Sequence, residues 1–245
     1  MINGKKVIGI IGGMGPMATA DLFRKLVSLT DADSDREHIH VLIDNDPSIP
    51  DRTDAILYGG ESPVPLICAA AHRLEAAGAD VLIMPCNTGH YFHEEIASSC
   101  AVPLLSMPEE TAAAVKEAGF DCVGLLATDG SVKTDFIDRA FAKYGIRLLR
   151  PDAEGQAEVM RLIYDEVKSG LTPTHERLFP ALDAMSAEGA QGFVLGCTEL
   201  PIAFEGVGGY RFIDPTAILA AAAIKAAGYG VKNGAQECFP ESMLR

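Results

Sequence analysis

The chain has 245 residues, of which 48% are apolar and 22% are charged, so it can bury a sizeable core and is too apolar to be mainly disordered. Its formal net charge of −14 repels phosphate backbones and therefore excludes general nucleic-acid binding as an expected activity. Its six cysteines are too few and too scattered for a disulfide framework, so we expect reduced thiols and a cytoplasmic location.

No membrane partner is expected. The alanine-rich run 217–224 has 8 residues before Lys225 interrupts it, whereas a membrane-spanning helix needs roughly 20. Lys5 and Lys6 before the apolar run 7–11 imitate a signal peptide, but the glycines from position 12 onwards end that run early.

The first half of the chain predicts strands that alternate with helices. Residues 6–11 predict a parallel strand that is buried on both faces, because 7–11 form a continuous apolar run. A glycine-rich turn follows it, and Pro47 and Pro50 mark a loop at 44–54. Further strands are predicted at 39–43, 80–85 and 103–106, and helices at 17–29, 63–77, 90–98 and 108–118.

The second half predicts the same alternation, which implies parallel sheets with right-handed crossovers. A last helix follows Asp214 and Pro215. The predicted strands are 121–126, 146–149, 192–196 and 211–213, and the predicted helices are 132–143, 153–168, 174–188 and 216–228.

The sequence also contains an internal repeat. Residues 6–15 align without a gap on 121–130, and residues 78–88 align on 189–199 with Cys86 over Cys197. The two offsets, 115 and 111, are nearly equal, which indicates a duplicated unit. We therefore predict an α/β protein with two pseudo-symmetric lobes, each a parallel sheet flanked by helices, and an active site in the interlobe cleft. The expected lobes are 1–117 and 118–213, with a C-terminal helix in 214–245 that packs back on the first lobe.

The repeat gives Cys86 and Cys197 equivalent positions, each directly after a predicted strand. Ligands bind outside the carboxyl ends of the strands in an open parallel sheet, so an approximate two-fold axis would place both thiols in one pocket. Helix N-termini at that point favour anions and lower thiol pKa values. A thiolate that removes a proton from a stereocentre, opposite a thiol that returns one, performs two-base racemisation or epimerisation without a cofactor.

Four motifs together resemble the aspartate/glutamate racemase superfamily, and most closely its aspartate racemase branch. They are 9–16 (GIIGGMGP), 50–53 (PDRT), 85–88 (PCNT) and 195–201 (LGCTELP). The resemblance implies a homodimeric racemase that needs neither PLP nor a metal, with Cys86 and Cys197 as the two bases. The opening motif and Arg52 favour the aspartate branch over glutamate racemase.

The resemblance also implies substrate-binding residues. It matches Arg52 to a residue that binds the substrate's side-chain carboxylate, for which a planar guanidinium is suited, and Lys168 to a lysine that contacts substrate. The alternative interpretation is a solvated loop residue for Arg52; taken without the resemblance, Lys168 is more simply a surface lysine. The other candidates are Met14, Asn87, Thr88, Thr128 and Thr198. Core packing is the alternative interpretation for Met14, and helix capping is the alternative for Thr128.

A metal site is not expected. His90 and His93 have the spacing of a zinc pair, but no third ligand stands at a suitable distance in the sequence.

Amino-acid racemisation is the leading functional hypothesis, with aspartate as the first substrate and glutamate as the second. Two alternatives stay open from the sequence. One is another cysteine-dependent reaction of the superfamily, of the maleate cis–trans isomerase or malonate decarboxylase type. The other is a catalytically silent protein that binds an amino acid in the same pocket.

Overall fold

A computed structural model describes residues 4–232, and within them the chain forms two parallel sheets. The first sheet has the order β2-β1-β3 and the second the order β5-β4-β6-β7. The predicted α/β fold with two lobes is confirmed. The strands are β1 Ile8–Gly12, β2 Val41–Asn45, β3 Val81–Ile83, β4 Cys122–Leu126, β5 Arg147–Leu149, β6 Phe193–Leu195 and β7 Phe212–Ile213.

The helices begin where the sequence supplies start signals. Proline occupies one of the first two positions of several helices, where its missing N–H costs nothing. Asp51, Thr128, Asp152 and Asp214 cap others through their side chains. The helices are α1 Pro16–Leu29, α2 Arg52–Tyr58, α3 Val64–Ala76, α4 His93–Ser99, α5 Met107–Glu117, α6 Asp129–Val132, α7 Phe136–Ala142, α8 Ala153–Arg161, α9 Phe179–Ala187, α10 Leu200–Ala203 and α11 Pro215–Ala226.

The register of the two sheets reproduces the duplication. Gly9 of β1 lies opposite Leu82 of β3, and Gly124 of β4 lies opposite Phe193 of β6. These are the residues that the sequence offsets align. A Cβ on Gly9 would come within 2.7 Å of the Leu82 side chain, and one on Gly124 within 2.6 Å of Phe193. Each lobe therefore requires glycine at this point because the neighbouring strand's side chain covers the backbone.

Helix α11 packs against both lobes and joins them. Leu219 and Ile224 lie in the core of the first lobe, whereas Ile218 and Ala221 belong to the core of the second. A helix that is apolar on every side is expected in such a buried position. The predicted C-terminal segment 214–245 is seen only in part, since 233–245 lie outside the described residues.

A buried ion cluster ties helix α1 to the start of α11. Lys25 Nζ lies 2.5 Å from Asp21 Oδ2, 2.6 Å from Asp214 Oδ2 and 2.5 Å from Thr216 Oγ1. Asp214 also caps α11 by accepting the Thr216 N–H at 2.8 Å. One carboxylate therefore both starts the joining helix and anchors it to the first lobe.

Single residues explain two differences between the predicted and the observed elements of the first lobe. The strand predicted at 103–106 is only an isolated bridge between Leu104 and Leu82, in a segment where Pro103 has no N–H for a longer ladder. The loop predicted at 44–54 ends early because Asp51 caps α2, which begins at Arg52.

The helix predicted at 132–143 is two helices, α6 and α7. Thr134 Oγ donates to the Gly130 carbonyl at 2.7 Å near the break, a bond that competes with regular helix pairing. Within residues 4–232, no helix combines the length and the apolar character that crossing a bilayer requires.

Candidate active site

A small cavity lies between the lobes, at the carboxyl ends of both sheets. All nine of the residues that the sequence singled out line it: Met14, Arg52, Cys86, Asn87, Thr88, Thr128, Lys168, Cys197 and Thr198. The fold thus brings these residues together, one cysteine from each lobe, while their roles remain predictions.

Cys86 lies just beyond β3 in a positively polarised environment. Its Sγ accepts the backbone N–H of Gly89 at 3.4 Å, from the 3₁₀ turn Thr88–Phe92 that follows it. The Arg52 guanidinium lies beside it. Burial lowers the pKa of Arg52, but the negative charges of a Cys86 thiolate and of Asp51 outweigh burial and raise the net pKa, so the guanidinium stays charged. Cys86 therefore has a backbone N–H and a guanidinium as neighbours.

Arg52 is buried, with 7% of its surface exposed, and is held by backbone carbonyls. Its Nη1 donates to Pro50 at 2.9 Å and its Nη2 donates to Met14 at 3.3 Å. Its Nε has no hydrogen-bond partner among residues 4–232, and neither has the buried Nδ2 of Asn87. Buried donors are almost always paired, so these two nitrogens, on residues that line the cavity, are the donors that a bound acceptor would satisfy.

Cys197 lies just beyond β6 and is paired with a carboxylate. Its Sγ donates to Glu199 Oε2 at 2.9 Å, and Lys168 Nζ lies 3.4 Å from Glu199 Oε1. Burial and then the charge of Glu199 raise the pKa of Cys197 well above its usual range, against the opposing effect of Lys168. Burial lowers the pKa of Lys168, but the negative charge of Glu199, followed by that of the two cysteines as thiolates, outweighs burial and raises the net pKa. Burial and the Glu199 carboxylate therefore both favour the neutral thiol at Cys197.

Hydroxyl groups join the lobes across the cavity floor. Thr88 Oγ1 lies 2.9 Å from Thr128 Oγ1 and 3.1 Å from Ser131 Oγ, so a first-lobe residue pairs with two from the second lobe. Thr128 also caps α6 by accepting the Ser131 N–H. The capping interpretation of Thr128 and its place in the cavity are both correct.

Four further residues line the cavity that sequence reasoning did not select: Asp51, Thr53, Tyr164 and Glu199. Tyr164 lies in the π-helical turn Leu162–Val167 and donates to Asp51 Oδ2 or Thr53 Oγ1, each at 3.2 Å, which closes the cleft on one side. Burial raises the pKa of Tyr164 to about 12, so it stays a donor. The available signals were the position of Glu199 two residues after Cys197 and of Tyr164 one turn before Lys168.

His90 acts on the fold rather than in the cavity. Its Nε2 accepts the Met107 N–H at 3.1 Å, which leaves Nδ1 protonated to donate to the Cys86 carbonyl at 2.8 Å. It is wholly buried, and burial lowers its pKa to about 4. No cluster of three metal-binding side chains occurs in the described part of the chain.

Because buried His90 stays neutral in the folded protein, the free energy of unfolding is expected to decrease in mild acid. Below pH 6.5 the unfolded chain binds a proton at this imidazole whereas the folded chain does not, down to about pH 4. The free energy of unfolding should therefore decrease by roughly 3 kcal/mol over this interval from this residue. Denaturant titration against pH measures the slope, which should become shallower in His90→Gln and not in His72→Gln, an exposed control. Equal slopes in all three proteins would contradict the assignment.

Known proteins share this architecture along nearly the whole chain. The aspartate racemase of Picrophilus torridus matches with a TM-score of 0.84 and 35% identity, over 94% of this chain and 97% of that one. A broad specificity amino-acid racemase of Bacillus subtilis is 27% identical over 198 residues, which are 79% of this chain and 86% of the relative. Glutamate racemase from Francisella tularensis, 18% identical with a TM-score of 0.66 over 91% of this chain and 81% of its own, shares the fold.

These likenesses define the class of the protein, an isomerase of the amino-acid racemase type. The family described as Asp/Glu/Hydantoin racemase matches residues 11–223, and the chain belongs to it. The resemblance drawn from the sequence motifs is thereby confirmed.

Proposed function

We propose that this enzyme interconverts the enantiomers of an acidic amino acid, aspartate first and glutamate second, by cofactor-independent two-base proton transfer between Cys86 and Cys197. The observation that carries the proposal is that the two repeats each contribute one thiol to the same small interlobe cavity. The similarity to the Picrophilus torridus aspartate racemase supports aspartate as the substrate.

The chemistry needs only proton transfer. One thiolate removes the proton from Cα, the electron pair is delocalised towards the α-carboxylate, and the opposite thiol donates its proton to the other face. The first cysteine ends as a thiol and the second as a thiolate, so atoms and charge balance.

Recognition of a dicarboxylate requires local cations, because the protein as a whole carries a charge of −14. Arg52 and Lys168 line the cavity, and the unpartnered Arg52 Nε and Asn87 Nδ2 offer further donors. We assign Arg52 to the side-chain carboxylate, since charge-assisted contacts with a guanidinium are strong and directional. Met14, Thr88, Thr128 and Thr198 complete the walls that orient the substrate.

An enantiomer-resolved screen of the twenty amino acids, without added cofactor, tests the proposal. Aspartate is expected to racemise fastest, with solvent deuterium appearing at Cα. A stable covalent adduct at Cys86 with an unsaturated diacid would favour the isomerase alternative. Saturable amino-acid binding without exchange at Cα would favour a silent binding protein, and either result would contradict the racemase proposal.

We also propose, from the resemblance, that the enzyme works as a cytoplasmic homodimer. Phe23 and Val27 are one turn apart on α1 and remain about 40% exposed, which suits a surface that another subunit covers. Light scattering should give twice the chain mass of 26.0 kDa, and a monomer mass would contradict the proposal.

A further inference from the structure

The duplicated lobes give the two thiols unequal partners. Cys86 faces the Arg52 guanidinium and accepts the Gly89 N–H. Cys197, at the equivalent position of the second lobe, donates its proton to the Glu199 carboxylate at 2.9 Å. The repeat therefore aligns the two cysteines but not their charged neighbours: Arg52 lies beside Cys86, whereas the Glu199 carboxylate, paired with Lys168, contacts Cys197 directly.

Glu199 is built into the site rather than placed on its surface. Only 3% of the residue is exposed, and its carboxylate accepts from Cys197 Sγ and from Thr198 Oγ1 at 3.3 Å. Lys168 Nζ, 3.4 Å away, supplies the compensating charge that a buried carboxylate requires. With the thiol proton removed, Cys197 and Glu199 would be two adjacent anions, so this contact favours the protonated thiol.

We propose that Glu199 is a further catalytic residue, which holds the proton on Cys197 in the free enzyme so that turnover starts with Cys86 as thiolate and Cys197 as thiol. The inference rests on the proposed racemisation and deepens it. The enantiomer whose Cα–H faces Cys86 reacts with the resting enzyme directly. Its mirror image requires that the proton first moves from Cys197 to Cys86.

Each turnover from the resting form leaves a proton on Cys86 and a thiolate at Cys197. Lys168 stabilises this thiolate while the product is bound. After release, Cys86 gives its proton to solvent and Cys197 regains one from solvent, with no net change. Because racemisation has an equilibrium constant of one, kcat/KM is equal in both directions. The asymmetry is therefore visible in the protonation of the free enzyme and not in that ratio.

Thiol alkylation in the absence of substrate measures this protonation directly. The full-length enzyme is treated with iodoacetamide over a range of pH, and the modification of Cys86 and Cys197 is followed separately by peptide mass spectrometry. In the unaltered enzyme, Cys86 is expected to react at lower pH than Cys197. In Glu199→Gln the profile of Cys197 should shift to lower pH by about one unit or more, because the neighbouring charge is gone.

The matched control is Glu205→Gln, an exposed glutamate of the same lobe, which should leave both profiles unchanged. Racemisation by Glu199→Gln is expected to fall at least about tenfold, with its pH profile displaced in the same direction as the alkylation profile. Identical profiles for the two thiols in the unaltered enzyme would overturn the proposal, and so would an unshifted Cys197 in folded Glu199→Gln. Alkylation does not require turnover, so this outcome is separate from a failure to racemise.

Discussion

Replacing Cys86 or Cys197 with serine is expected to lower aspartate racemisation by about three orders of magnitude, with little change in fold. Serine matches the size of cysteine, but its hydroxyl does not ionise near neutral pH and so cannot serve as the base. Both side chains are buried and lack any covalent partner, so the substitution leaves the packing nearly unchanged. Racemisation is followed by polarimetry, and circular dichroism verifies the fold.

The half-reactions give a sharper result than the overall rate. With Cys197→Ser, Cys86 still removes the Cα proton of one enantiomer, so that enantiomer alone is expected to exchange with deuterated water. Cys86→Ser should exchange the opposite enantiomer. The partly buried Cys68, outside the cavity, is the matched control, and Cys68→Ser should retain full activity. Full activity in both cavity mutants would contradict the two-base mechanism.

A single-thiol reaction predicts a different pattern. If one cysteine were a nucleophile or the sole proton donor, one mutant would lose all activity and the other would retain most of it. Symmetric loss, together with exchange of opposite enantiomers, is expected only when each thiol serves one face of Cα.

The fold was predictable because its signals are local or repeated. Continuous apolar runs such as 7–11 indicate buried parallel strands, and the offsets of 115 and 111 anticipated the equivalent pairs Gly9–Leu82 and Gly124–Phe193. The predicted bounds of helices and strands were wrong where a single residue determines where the element begins or ends. Asp51 begins a helix inside a proline-marked loop, and Pro103 reduces a predicted strand to a bridge.

The composition of the cavity was predictable from motifs, but its electrostatics were not. Cys86 and Cys197 follow equivalent strands, so the sequence places them together. The ionic partners depend on side chains that converge from distant segments: Arg52 reaches Cys86 from α2, and Lys168 reaches Glu199 from beyond the π-helical turn. Tyr164 donates across the lobes to Asp51, over a hundred positions away, which no local pattern encodes.

Replacing Arg52 with alanine is expected to reduce kcat/KM for aspartate by roughly one to two orders of magnitude more than kcat/KM for alanine. A hydrogen bond to a charged group contributes about 1.5–3 kcal/mol. Only aspartate has a side-chain carboxylate, so only aspartate loses this interaction when Arg52 is removed. Arg52→Lys keeps the charge without the planar fork and should give an intermediate loss. Steady-state kinetics on both substrates measure the preference.

The comparison between substrates separates recognition from other roles of Arg52. Its guanidinium also pairs with the carbonyls of Met14 and Pro50 and lies beside Cys86, so truncation should lower stability and slow the chemistry on every substrate. Arg73→Ala, which removes an exposed arginine paired with Asp44, controls for loss of positive charge from the acidic protein. An equal loss on aspartate and alanine would place Arg52 in the activation of Cys86. A selective loss on aspartate would place it at the substrate's second carboxylate, where a cation offsets the repulsion between a dicarboxylate and the acidic chain.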